Sequence, residues 1–370
     1  MMIAAVAVGI GFEVPAVANL RGYHAELLAQ ALDSGSGDVR VHPWRGSFIR
    51  DADALALRLG QIPGVAEASP VLGAPASISG HGHAVSLGIL GINPSATYQP
   101  YRLTAGHPLG DRDRDGILLG YSIAQALEVA VGDQVELRVM LSTYPRLLLD
   151  DGGYGVYTMI IRGLVGFSAS NSAFVTRSFL AAELGDDDAA SMLIVHARDH
   201  EAASAIAAIA TRIAPGVESR GWMEDSSYLH SSVQAVDTLG AVSWLLGILA
   251  VGIPVMALLY VNTLNRRRQI GLLSAMGFSR GDLFLTFLLQ ALILGAAGVL
   301  VGTLIALGLV RYLIAHPIFD WQGFVVRPVL ALSDVARTAA AILASTIAAG
   351  SYPAWRAARV DPSRILRGIE

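Results

Sequence analysis

Four stretches of this chain are too long and too apolar to be elements of an ordinary soluble core. A helix needs about 20 mostly apolar residues to cross the ~30 Å hydrocarbon layer of a bilayer. Met1 to Leu20 reaches that length with Glu13 as its one charge, and Leu239 to Tyr260 has no charge. Leu283 to Val310 is also uncharged, with Gln290 its strongest polar side chain. Its Gly298-x-x-x-Gly302 reads either as a close helix approach or as ordinary glycine usage in a membrane helix. Val335 to Ala354 is built mainly of Ala, Ser, Thr, Gly and Ile, with Arg337 near its start. Small residues of this kind let helices pack closely in lipid, so this span is expected to lie against protein. The chain is 53% apolar and only 15% charged, where soluble domains carry about 25% charged residues. A lipid-exposed backbone must satisfy its own hydrogen bonds. The reading is therefore an α-helical membrane protein with four transmembrane helices.

Positive charge sets the orientation, because it collects in short cytoplasmic loops. Arg266, Arg267, Arg268 and Arg280 lie between the second and third spans, and Arg356, Arg359, Arg364 and Arg367 follow the fourth. The stretch from Arg21 to Ala235 holds 15 Arg against 23 acidic residues and falls on the opposite side. The expected order is transmembrane helix 1 at 1–20, an extracytoplasmic α+β domain with stalk helices at 21–235, and helix 2 at 236–262. A cytoplasmic segment at 263–282, helix 3 at 283–312, a short outer loop at 313–333, helix 4 at 334–354 and a cytoplasmic tail at 355–370 complete it. The first span has a second reading as a signal peptide, since Ala16-Val17-Ala18 looks like a cleavage site; the missing basic n-region and Glu13 stand against it. Either reading leaves the domain outside.

Composition also limits the chemistry. All 26 basic residues are Arg, so these 370 residues contain no G-x-x-x-x-G-K-[ST] phosphate loop, and any ATP hydrolysis is expected on a partner. With no Cys there are no disulfides, thiolate metal sites or Cys nucleophile. A net charge of −4 without a basic patch gives no reason to expect nucleic acid. Gly277-Phe278-Ser279-Arg280-Gly281 matches the nucleophile elbow G-x-S-x-G but lacks the strand that motif requires. It reads as a connection between spans; a membrane-anchored hydrolase using Ser279 is the reading from a different class. Asp111-Arg112-Asp113-Arg114-Asp115-Gly116 resembles the opening of a calcium loop, yet Ser122 replaces the bidentate Glu, so a solvated turn is expected. His196-x-x-x-His200 lacks the Glu of H-E-x-x-H, and it and His81-Gly82-His83 read as solvent-exposed histidines. No catalytic residue, metal site or cofactor is expected in this chain. Glu13 is an acid inside a span, read either as functional or as facing other helices or an interface, and Pro254 is expected to kink the second span.

In the outer domain, residues 20 to 32 continue a helical pattern that ends in the turn cluster Asp33-Ser34-Gly35-Ser36-Gly37. Strand-like stretches follow at 38–42, 83–91, 116–119, 134–140, 159–167 and 191–197, with helices at 51–61, 122–127 and 200–213. Strands and helices mix without strict alternation, which indicates an α+β domain. Residues 141–158 read as a loop with exposed apolar side chains, and Tyr144, Leu147, Leu148, Leu149 and Tyr154 are candidate contacts for an outside partner. Packing of that loop on its own domain is the other reading.

Three segments carry a resemblance. Asn265 to Arg280 (NRRRQIGLLSAMGFSR) resembles the RRREIGILRALGAS segment of FtsX-like ABC transporter permeases, a group that includes Lol-type lipoprotein-releasing permeases and MacB-like exporters. The tail Tyr352 to Arg367 resembles the PARRAARLDPVEALR ending of that family, and Gly116 to Leu137 resembles its LGxxLAxxLGVxxGDxVxL stretch. The resemblance implies an inserted MacB-like periplasmic domain and a location in the bacterial inner membrane. It implies an ABC ATPase dimer that holds ATP and Mg, and a second permease, either another copy or a related chain. A periplasmic carrier or adaptor is a further implied partner. On this pattern, 263–282 is the coupling segment. A short helix near Ile270 to Phe278 docks into the ATPase through Ile270, Leu273, Met276 and Phe278, with Arg266, Arg267, Arg268 and Arg280 around it. The helices around 21–32 and 222–238 are then the stalk that carries motion outward. Lipoprotein or amphiphile release is the leading implied function, export of drugs, peptides or siderophores the second, and signalling to a cell-wall hydrolase a third. Members usually carry a basic amphipathic helix before the first span, whereas this sequence opens on Met1-Met2-Ile3; either the start lies upstream or that element is absent.

Overall fold

A computed structural model describes the chain apart from residues 141–153, 226, 266–268, 270–275, 277 and 359–370. It divides into two units. One comprises Met1–His24, Gln234–Ile318 and the described residues from Val326 onward; the other comprises Ala25–Val233 with Phe319–Val325.

The first unit is helical. Its helices are α1 (Met2–Leu28), α7 (Ser227–Asn265), α8 (Arg280–Ala315) and α9 (Leu332–Ala358), the first two continuing into the other unit. Among the described residues, four segments are long and apolar enough to cross a membrane: Met2–Ser36, Leu229–Asn262, Gly281–Ala315 and Leu332–Ser351. Glycines mark the places where these helices meet. A Cβ at Gly9 would overlap Val251, one at Gly247 would overlap the Glu13 carboxylate, and one at Gly240 would lie 3.0 Å from Leu20 Cδ2, so α1 and α7 run antiparallel. α1 and α8 run parallel: a Cβ at Gly298 would stand 2.6 Å from Val6 Cβ, and one at Gly302 2.7 Å from the Ala7 carbonyl oxygen. Gly298-x-x-x-Gly302 is thus a close-approach motif. α9 packs through small residues, with Thr346 on Gly295 of α8 and Ser345 on Gly252 of α7. Val6, Ile10, Val14, Val251, Val255 and Ile342 fill the center.

The second unit is α+β. Its strands are β1 (Val39–Pro43), β2 (Val65–Gly80), β3 (His83–Ile92), β4 (Leu103–Gly106), β5 (Gly116–Gly120), β6 (Gln134–Met140), β7 (Tyr154–Val165), β8 (Ala173–Thr176), β9 (Met192–Ala197) and β10 (Val217–Gly221). They form one sheet in the order β10-β1-β9-β2-β3-β8-β5-β7-β4, with β6 pairing β2 and β7. The helices are α2 (Ala52–Gly60), α3 (Tyr121–Leu127), α4 (Arg177–Leu184), α5 (Ala203–Ile213) and α6 (Trp222–Asp225). A small hairpin, β11 (Asp320–Trp321) with β12 (Phe324–Val325), belongs to the same unit and falls within the stretch expected as a short outer loop at 313–333.

The long strand β2 joins two cores. Its first part pairs with β9 and its second with β3 and β6. On the β9 side, α2 presents Ala52, Leu55, Ala56 and Leu59, and α5 presents Ala203, Ile206, Ala207 and Ala210, the i, i+3, i+4, i+7 stripe of a half-buried helix. These meet Val39, Leu193 and Val195 of the sheet. On the other side, Ile123 and Leu127 of α3 and Leu180 of α4 cover Ile78, Ile89, Leu119, Leu137 and Ile161. Each large aliphatic side chain buried this way contributes roughly 1.5–3 kcal/mol.

Candidate functional site

The helical unit has a cleft of about 490 Å³ where α1 and α7 leave their apolar runs and α9 begins. Arg21 Nη2 lies 3.1 Å from Asp334 Oδ1 across it. The Val329 amide donates to the Ala18 carbonyl at 2.9 Å, holding the segment before α9 against α1. Asp334 Oδ2 and His24 Nε2 are buried without a protein partner. Arg337, exposed on α9, also lines the cleft and makes no ion pair among the described residues. One stripe of α1 supplies Val17, Leu20, Arg21 and His24, and Glu13 lies one turn below it. Glu13 is 2% exposed. Its Oε1 has no partner. It faces α7 rather than the edge of the bundle.

Of the residues expected to couple to an ATPase, Arg266, Arg267, Arg268, Ile270 and Leu273 lie outside the described residues. Met276 is 77% exposed and Phe278 46%, two large apolar side chains open to contact in this connection. Arg280 begins α8. Ser279, the serine of the G-x-S-x-G match, is the N-cap of α8. Its Oγ accepts from the Asp282 amide at 3.2 Å, and its own amide donates to Asp282 Oδ2 at 3.0 Å. This reciprocal capping box gives the serine a structural task.

In the outer unit, Tyr144, Leu147, Leu148 and Leu149 lie outside the described residues. The loop reading does not extend to Thr158: β7 begins at Tyr154, which pairs with Met140 of β6. The strand starts there because Tyr154, Val156 and Tyr157 favor extended structure once β6 supplies a ladder. The aspartates of the calcium-like stretch are held by an arginine. Arg162 of β7 reaches Asp113 at 3.1 Å and 3.2 Å and Asp115 at 2.9 Å. The hydrogen bond with Asp113, and after it the Arg162 charge, hold the Asp115 carboxyl below the usual carboxylate range.

The expectation of solvent-exposed histidines fails at His196, which is 2% exposed in β9. Its ring stacks on Tyr98 with centroids 4.5 Å apart. Burial holds the imidazole below its ordinary value, outweighing the nearby Asp38 carboxylate. His200 points elsewhere: its Nδ1 donates to Asp38 Oδ1 at 2.6 Å. Asp38 is fully buried, and its Oδ2 accepts from the Ala197 amide at 2.7 Å. The two histidines therefore have separate partners. Among the described residues no group of three or more His, Asp or Glu is placed to hold a metal ion.

Comparison with known proteins covers both units. Residues 1–213 match the family model for a MacB-like periplasmic core domain, and residues 241–362 match that for the FtsX-like permease C-terminal region. The macrolide export ATP-binding/permease protein MacB of Bdellovibrio bacteriovorus is 30% identical over 139 residues, covering 38% of this chain and 20% of that protein. The pyoverdine export ATP-binding/permease protein PvdT of Pseudomonas syringae is 32% identical over 125 residues, 34% of this chain and 17% of the relative. The match thus spans about a fifth of the length of these relatives. The lipoprotein-releasing system transmembrane protein LolC of Xylella fastidiosa is 24% identical over 398 aligned positions, covering 98% of this chain and 92% of that protein.

Proposed function

Because the chain belongs to the FtsX-like ABC transporter permeases with a MacB-like periplasmic core domain, we propose that it releases lipoproteins or similar amphiphiles from the outer face of the bacterial inner membrane. The observation that carries this reading is the end-to-end similarity to a lipoprotein-releasing transmembrane protein, against matches to about a fifth of the exporters that combine ATP binding with a permease. ATP is hydrolyzed by a partner ATPase dimer seated on residues 263–282. Two permeases, identical or related, share that dimer.

Segment 263–282 is suited to docking: exposed Met276 and Phe278 offer apolar anchors, and the arginine run supplies a charged rim. The helix α7 runs for 39 residues with Pro254 inside it. Antiparallel packing of α1 on α7 through glycine contacts makes the two helices move together. Closure of the ATPase dimer beneath α7 and α8 is thereby passed to the outer domain, and residues 141–154 meet a periplasmic carrier. The excess of acid in the outer domain and the arginines at 266–268, 356, 359, 364 and 367 support this orientation.

The test is reconstitution with the ATPase in nanodiscs. ATP-dependent transfer of a fluorescent triacylated peptide to a soluble acceptor is the expected result. ATP-dependent movement of a macrolide or siderophore with no lipopeptide transfer would replace this reading with MacB-type export.

A further inference from the structure

We infer that the cleft at the end of the helical unit binds the headgroup of a membrane amphiphile that carries both a primary ammonium and a phosphate, as phosphatidylethanolamine does. The inference concerns the surrounding lipid and holds whichever cargo the transporter moves.

Three features of the cleft define the ligand. First, Asp334 is 8% exposed, and its Oδ1 accepts from Arg21 at 3.1 Å while Oδ2 has no protein partner. A buried carboxylate oxygen left unpaired costs on the order of 1–3 kcal/mol or more, so the site calls for a hydrogen-bond donor, best a cationic one. Second, Arg337 has no ion pair among the described residues, and His24 Nε2 is buried without a partner. Both suit an anion: a guanidinium engages phosphate oxygens in bidentate fashion and an imidazole N–H adds a third donor. Third, Leu20 and Trp244 give the cleft an apolar wall. Trp favors membrane–water boundaries, where one end of the ring is apolar and the other wet. At about 490 Å³ the cleft has the size of a small-molecule site. Asp237 is the remaining charge on the wall, leaving the site near neutrality. A zwitterion matches that balance better than a purely anionic lipid.

The lipids discriminate sharply. Phosphatidylglycerol has the phosphate without the cation. Phosphatidylcholine has a quaternary ammonium that cannot donate a hydrogen bond to Asp334.

The experiment is native mass spectrometry of the full chain, released from micelles containing the three lipids in equal amounts. Retention of phosphatidylethanolamine at about fivefold over each of the others is expected. Arg337→Gln and Asp334→Asn should each reduce that preference to parity. Because Asp334→Asn also loosens the Arg21 contact, Arg337→Gln decides the question, in a preparation whose thermal unfolding matches wild type. Equal retention of the three lipids, or an unchanged preference in Arg337→Gln, would overturn the assignment. Displacement of the lipid by millimolar O-phosphoethanolamine would do so too, because it would assign the cleft to a soluble phosphate ester. Resistance to that displacement supports the lipid.

Discussion

Gly302 of α8 lies so close to Ala7 of α1 that a Cβ built on it would stand 2.7 Å from the Ala7 carbonyl oxygen and 2.9 Å from its Cα. Both neighbors are backbone, which cannot rotate away, so this contact fixes how near the two helices pass. Gly302→Ala is expected to destabilize the protein by about 1–3 kcal/mol, the usual cost of overpacking. The reading is the thermal midpoint in micelles, with Gly308→Ala as control, since a Cβ there meets nothing within 4 Å. Equal midpoints for the two variants would contradict the packing described.

The outer unit should lose stability in mild acid. Burial holds both His196 and His42 below the ordinary imidazole value of 6.5. The unfolded chain therefore binds more protons than the folded one just below pH 6.5, and stability present above that value drains away as pH falls toward the folded-state values. Thermal unfolding between pH 7.5 and 5.5 should show the loss. His196→Phe, which keeps a ring to stack on Tyr98, should flatten it; an unaltered pH slope would remove His196 from the account.

Calcium should do nothing. Arg162 occupies the carboxylates of Asp113 and Asp115, so about 5 mM calcium, above the ~10⁻⁴–10⁻³ M range of extracellular calcium modules, should leave the thermal midpoint unchanged. A rise in the midpoint that Asp113→Asn abolishes would show a metal site there.

Ser279→Ala should cost about 1 kcal/mol of stability, the usual value of a lost N-cap, because the hydroxyl accepts from the Asp282 amide. Ser279→Asp, another good cap, should restore it. Abolished hydrolytic activity in a variant of unchanged stability would instead support a nucleophile.

Much of this architecture is visible in the sequence where apolar residues keep a regular period. α5 shows Ala203, Ile206, Ala207 and Ala210 on one face, and β6 alternates Val135, Leu137 and Val139 inward. β2 is hidden because Pro70, Gly73 and Pro75 read as chain breakers; pairing on both flanks overrides that local signal. The burial of His196 is equally illegible, since its partner Tyr98 arrives from a distant loop. Asp38 looks like a turn residue, yet its acceptors serve Ala197 and His200, 159 and 162 residues away. The cleft could not be read either. Arg21 and Asp334 stand 313 residues apart and carry no shared motif. In the sequence Arg337 reads only as a charge near the start of the fourth span.

We propose that a separate ATPase drives this chain through the connection between α7 and α8. The most direct measurement is the amount of ATPase subunit that co-purifies with the full chain. Wild type should retain it. Replacing Arg266, Arg267 and Arg268 by Glu together with Met276→Asp should lower retention at least about tenfold, while the thermal midpoint of the permease stays in place. Undiminished co-purification with that variant would contradict the account.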